Sequence, residues 1–214
     1  MLINIWATLT HIGDESFCKN PSGGADIDLL VCEALERKTN GRQIWMINPF
    51  WRSGACTAEF LRESYGFLRD SGESYLVIYT PGFADILEGM SVEIAARAFH
   101  QLCRRARAFN KRVLVQQLGI PHGVSVEIAA TIIAYNAALA KVVTDFDGDR
   151  IDLTSISYRP WRVDGNSQEM AQHSRSAKSS GPAEPVQAAN IIAEAVINAH
   201  AQAGAWRFIH PEVS

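Results

Sequence analysis

The chain has four cysteines among its 214 residues, with no Cys-x-x-Cys pair and no metal-ligand spacing between them. Cys18, Cys32, Cys56 and Cys103 therefore read as reduced thiols, which suits a cytoplasmic protein with neither a zinc centre nor a disulfide framework. Basic charge is not in excess either. Lys and Arg number 20 against 23 Asp and Glu, a formal net charge of −3, and that balance argues against a nucleic-acid partner, whose phosphates demand a basic surface. No continuous apolar run reaches the ~20 residues of a membrane span, so no membrane partner is expected. The opening Met1-Leu2-Ile3-Asn4 lacks the charged first region of a signal peptide and reads as the start of a strand. Gly23-Gly24 is too bare for a phosphate loop. With no metal, nucleotide or dinucleotide signature, no cofactor is expected, and a small molecule is the expected partner; the sequence gives no oligomeric state.

What the chain does contain is 47% hydrophobic residues, an ordinary globular share. The length suits a single α/β domain spanning 1–214. Residues 2–9 form a near-continuous apolar run with Trp6, the pattern of a strand covered on both faces. A polar loop follows over 10–26. A helix then carries Ile27, Leu30, Val31, Ala34 and Leu35 at helical spacing and ends at Asn40-Gly41. Further strands are expected at 43–47, 75–79, 112–118 and 151–156. Helices are expected from 57 with Phe60, Leu61, Ser64 and Leu68 on one face, at 91–109 with Ser91 as N-cap and Ile94, Ala98 and Leu102 inward, at 125–143, and at 185–203 with Ala189, Ile192, Ala193 and Val196 inward. Arg104, Arg105 and Arg107 fall in the last turns of their helix, where cations suit the dipole.

Five strands alternating with helices predict a three-layer α/β/α fold with a five-stranded parallel sheet in flavodoxin-like order. Ligands of such sheets bind outside the carboxyl ends of the strands. Five loops converge there: 9–25, 48–56, 80–86, 118–123 and 157–184. The segment 165–185 holds five serines and two prolines, and reads either as a flap over that rim or as plain disorder. Trp51, Phe83 and Trp161 give the rim aromatic surface. Arg52 and Arg162 are candidates to pair with a carboxylate or phosphate, or are simply solvated. His11 and His122 fall on rim loops, where a lone histidine is more often a hydrogen-bonded residue than a base. Cys56, near a helix N-terminus, is a candidate for a lowered thiol pKa, against the plainer reading of a small buried thiol.

The stretch that organises the chain is Asn48-Pro-Phe-Trp-Arg-Ser-Gly-Ala-Cys-Thr-Ala-Glu-Phe-Leu61. Its glycine stands between a strand end and an amphipathic helix start, where the backbone can aim an N–H at a ligand. Here the order of loops resembles the SGNH, or GDSL, hydrolase family of esterases and lipases. The stretch from Asn48 looks like the family's second block, whose glycine donates to the oxyanion; that role carries to Gly54. Tyr135-Asn-Ala-Ala-Leu139 is similar to a common family helix. The first block, Gly-Asp-Ser, is matched by Gly13-Asp14-Glu15-Ser16 with one residue inserted, which makes Ser16 the nucleophile. A second frame sets that block at Ala7-Thr8-Leu9, with leucine in the serine's place. The third block, Gly-x-Asn-Asp, is matched by Gly82-Phe83-Ala84-Asp85, with Ala84 where the family's asparagine completes the oxyanion hole. The final Asp-x-x-His falls on Ser180-Gly-Pro-Ala183, so Asp164 and His173 upstream are the nearest acid and base. Trp51, Arg52, Phe83, Ala84, His122 and Trp161 would line the substrate. The resemblance implies an esterase or deacylase for a small molecule or carbohydrate; with three of four blocks altered, the alternative is a degenerate member that binds a small molecule or partner protein without turnover.

Overall fold

Leu9 and Ile12 are fully withdrawn from water, and Ala7 nearly so, which places the first strand in the middle of the molecule. The computed structural model describes residues 5–15, 26–71, 74–81, 83–120, 124–154 and 183–209. Strands β1 (Ile5–Gly13), β2 (Gln43–Trp51), β3 (Leu76–Thr80), β4 (Arg112–Gln116) and β5 (Asp149–Ile151) form one parallel sheet in the order β2-β1-β3-β4-β5. Parallel neighbours need long crossovers, and helices supply them. These are α1 (Ile27–Lys38), α2 (Thr57–Asp70), the one-turn α3 (Ala84–Leu87), α4 (Val92–Ala108), α5 (Val126–Thr144) and α6 (Ala183–Ile209). Helices α1 and α6 pack together on one face, while α2, α4 and α5 lie side by side on the other. The expected five-stranded α/β/α fold is the one observed.

The element boundaries differ from the sequence reading in instructive ways. Strand β1 runs through Gly13 rather than ending at residue 9, because Thr10 and His11 are buried in the sheet and find polar partners there. The frame that put the first block at Ala7-Thr8-Leu9 is thereby overturned: those residues lie mid-strand, and the strand exit is Gly13-Asp14. Strand β2 also continues past residue 47 to Trp51, with Pro49 inside it. Proline is tolerated there because β2 lies at the edge of the sheet. Strand β5 starts at Asp149, earlier than expected. In α4, Ile94 faces solvent and Phe99 takes the inward place beside Ala98 and Leu102. Helix α5 is long and apolar enough, by length and composition, to cross a membrane; in this fold it packs Ile132, Tyr135, Leu139 and Val143 into the core.

Gly13 shows why the exit of β1 needs a residue without a side chain. A Cβ there would stand 2.8 Å from both the Cβ and the carbonyl oxygen of Thr80, so β1 and β3 approach closely at their carboxyl ends. Gly54 answers a different requirement. Its φ of +64° is left-handed, and space around its Cα is open, so the turn demands glycine for its dihedral rather than for room.

Candidate active site at the carboxyl edge of the sheet

Successive side chains of a strand point to opposite faces, and at the carboxyl edge each face holds its own buried polar network. On the α2 face, Asp85 is 2% exposed and collects three donors. Thr57 N–H donates to Oδ1 at 3.0 Å, Thr57 Oγ1 to Oδ2 at 2.5 Å, and Tyr135 OH to Oδ2 at 2.6 Å. Tyr79 OH lies 2.7 Å from Thr57 Oγ1. Thr57 opens α2, so the carboxylate satisfies one of that helix's unpaired first-turn N–H groups and meets the positive end of its dipole. The helix's own cap is weaker. It is Cys56, whose thiol accepts from the Glu59 N–H while the Glu59 carboxylate accepts from the Cys56 N–H at 3.1 Å. Burial pushes the Cys56 thiol up, not down, ahead of the N–H groups that lower it. The lowered-pKa reading of this cysteine is therefore corrected. Burial first, then the nearby Asp85 charge, lifts Tyr79 well above the ordinary phenol range; burial, then Tyr79 and Asp85, does the same for Tyr135.

On the α1 face lies the second network. His11, 2% exposed, has Nδ1 2.5 Å from Asp28 Oδ1 and Nε2 2.7 Å from Thr80 Oγ1. Thr80 Oγ1 in turn donates to Gln116 Oε1 at 3.0 Å. Asp28 comes from the first turn of α1, His11 from β1, Thr80 and Gln116 from the last positions of β3 and β4. His11 is thus not a loop residue, as the sequence suggested, but part of the sheet. Its ring also meets Trp51 edge-on at 6.2 Å.

Between these networks the three sequence blocks converge. Asp14 N–H donates to Thr80 O at 3.2 Å, Arg52 N–H to Gly13 O at 3.0 Å, and Glu15 N–H to Arg52 O at 3.3 Å. The Gly54 N–H, expected to face a ligand, points to Asp14 Oδ1 at 3.4 Å. The Gly54 N–H is thus taken up by a carboxylate of this chain. Ala84 begins α3 and, like Phe83, is buried; its methyl offers no donor. Trp51 is half-buried at the end of β2, and Arg52 is exposed and ion-paired with Glu63. The similarity at Tyr135-Asn136 acquires a physical content: Tyr135 serves Asp85, and Asn136 clamps the exit of β4 by accepting from Leu118 N–H at 2.9 Å and donating to Leu118 O at 2.8 Å.

Ser16, His122, Trp161, Asp164 and His173 lie outside the described residues, as do Cys18, Arg162 and the segment 165–182. Among the described residues, Asp14 meets Gly54 and Asp85 meets Thr57; among them, no group of three or more His, Cys, Asp or Glu could hold a metal ion. An open hollow lined by Ala140, Thr144, Asp149 and Arg150 lies at the amino edge of the sheet, opposite the candidate site. Sequence reasoning missed the His11–Asp28 pair and the anchoring roles of Asp85 and Thr57. Asp85 had a signal in its motif; Asp28 had none beyond its place in a first helical turn.

No family model matches the sequence, and no curated protein matches it. Solved structures do match in fold. TesA is 19% identical, with a TM-score of 0.60 over 89% of this chain and 96% of its own. The acetyl xylan esterase AlAXEase is 16% identical, with a TM-score of 0.59 over 90% and 98%. A variant of Axe2, an acetyl xylan esterase from Geobacillus stearothermophilus, is 13% identical, with a TM-score of 0.61 over 92% and 96%. The chain carries the fold of the SGNH/GDSL hydrolases.

Proposed function

We propose that the carboxyl rim receives a small molecule or carbohydrate bearing an ester or acyl group, and that the chain is an SGNH-type esterase or deacylase with slow turnover on generic esters. The observation that carries this reading is the meeting of the three blocks: Asp14 touches the Gly54 turn at 3.4 Å, and Thr57 of the same stretch touches Asp85 at 3.0 Å. In this reading Ser16 attacks the acyl carbon, its proton passes to a histidine, and the Gly54 N–H holds the developing oxyanion. Asp164 and His173 are the acid and base nearest in sequence to where the family places them. The two acetyl xylan esterases among the fold neighbours favour an acetylated carbohydrate as the substrate class. The partner is then a small molecule and the compartment the cytoplasm.

A second reading, binding without turnover, is favoured by two features. Ala84 supplies a methyl where an amide donor is expected, and the loss of one such donor typically costs about 10²–10³ in turnover. The Gly54 N–H is directed at the Asp14 carboxylate, which must swing aside before an oxyanion can take its place. Hydrolysis of p-nitrophenyl acetate by the wild type, Ser16→Ala and His173→Ala separates the two. A slow rate abolished by Ser16→Ala supports the hydrolase. No rate above buffer supports the binder. A robust rate untouched by either substitution refutes the site assignment.

A further inference from the structure

We infer that His11, held by Asp28, is a positioning residue for the rim: it sets the Gly54 turn through hydrogen bonds relayed by the covalent frames of Thr80 and Asp14. The line begins at the Asp28 carboxylate, 2.5 Å from His11 Nδ1, and passes from His11 Nε2 to Thr80 Oγ1 at 2.7 Å. Thr80 then receives the Asp14 N–H on its carbonyl oxygen at 3.2 Å, and Asp14 receives the Gly54 N–H on Oδ1 at 3.4 Å. Five residues from β1, the loop after it, α1, β3 and the β2–α2 turn are thereby joined.

Burial gives the line its stiffness. His11, Thr80 and Asp14 are 2%, 1% and 4% exposed, and Gln116, on the far side of Thr80, is 5% exposed. Away from water a hydrogen bond is stronger and an unmade one is costly, so each member constrains the next. The imidazole spans the distance with a polar atom at each end. A carboxylate on one ring nitrogen and a hydroxyl on the other fix both ring orientation and the side of the strand to which Thr80 is drawn. The absent side chain of Gly13 lets Thr80 come that close, since any Cβ there would meet Thr80 at 2.8 Å. Two further ties of the turn, Arg52 N–H to Gly13 O and Glu15 N–H to Arg52 O, are backbone bonds. The direction of the Gly54 N–H is set by Asp14.

In placing a ligand at Gly54 the inference rests on the hydrolase reading, but its test is made on the free protein by amide NMR. His11→Asn is too short to reach Thr80, whereas His11→Gln extends an amide to the same place. Thr80→Val cuts the line in the middle and leaves the His11–Asp28 pair intact. His11→Asn and Thr80→Val should shift the backbone signals of both Asp14 and Gly54, and His11→Gln should return them towards wild type. Ser74→Ala, which breaks the Thr10–Ser74 bond on the other face of β1, should leave them in place. The inference is overturned if Asp14 and Gly54 stay put in Thr80→Val, or if Ser74→Ala moves them equally. Should His11→Asn fail to fold, Thr80→Val and Asp28→Asn carry the same comparison. Absence of ester hydrolysis would sink the hydrolase reading and leave these signals unaffected; normal hydrolysis with unmoved signals would sink this inference alone.

Discussion

Replacing Thr57 by valine removes one oxygen and almost no volume, yet the network around it predicts a large loss of stability. Thr57 Oγ1 donates to Asp85 Oδ2 at 2.5 Å and stands 2.7 Å from Tyr79 OH, with every partner at most 2% exposed. Losing a hydrogen bond to a charged group costs about 1.5–3 kcal/mol, and a buried phenol left without its acceptor about 1–3 kcal/mol more. These terms share a site and do not add fully, so roughly 3–5 kcal/mol is expected. In a domain of this size about 1 kcal/mol moves Tm by ~2–4 °C, so the melting point should fall on the order of 10 °C. Calorimetry and urea unfolding measure this directly. The double variant Thr57→Val/Tyr79→Phe tests the mechanism, because it removes the orphaned phenol and should recover part of the loss. A single-variant cost under about 1 kcal/mol, or strictly additive losses, would refute the network as the anchor of α2.

Gly54→Ala should lower stability by about 1–2 kcal/mol, since its φ of +64° is left-handed while nothing crowds the Cβ. Gly54→Asn should recover most of that loss in the same melting experiment, because asparagine tolerates this backbone. Two of the five tyrosines, Tyr79 and Tyr135, should resist alkaline titration followed by phenolate absorbance, since burial lifts both well above the ordinary value. Their folded pKa values exceed the unfolded one, so the stability they contribute is whole below about pH 10. It is lost as pH rises beyond that towards the folded values, and urea midpoints should fall in that window.

The fold was legible because its signals are local. Val77, Ile78 and Tyr79 read as a covered strand, and Ala189, Ile192, Ala193 and Val196 as a helix face; all are buried as expected. The candidate site was legible only where a sequence motif singles its residues out, as at Gly54 and Asp85. Thr10 and His11 read as loop because a polar residue inside a strand is justified by partners far away in the chain: Ser74 for the first, Asp28 and Thr80 for the second. For the same reason nothing in the sequence announces that the Gly54 N–H faces Asp14, a pairing 40 residues apart. Hydrophobic period reports which side of an element is buried, but not which polar groups meet there.

Pro49 bears on what the protein avoids. Arg52 N–H donates to Gly13 O of β1, and alternate residues of a parallel strand face the same neighbour, so Phe50 and Asn48 share that direction and Pro49 turns its nitrogen to the open side. A strand from another molecule that tried to extend the sheet along β2 would meet no donor at that rung. At the opposite border, β5 is three residues long and presents the exposed charges of Asp149 and Arg150. One border lacks a rung and the other is too short and too charged to template a partner. Among the described residues nothing pairs with either border, and the sheet is in this way kept from growing by addition of strands.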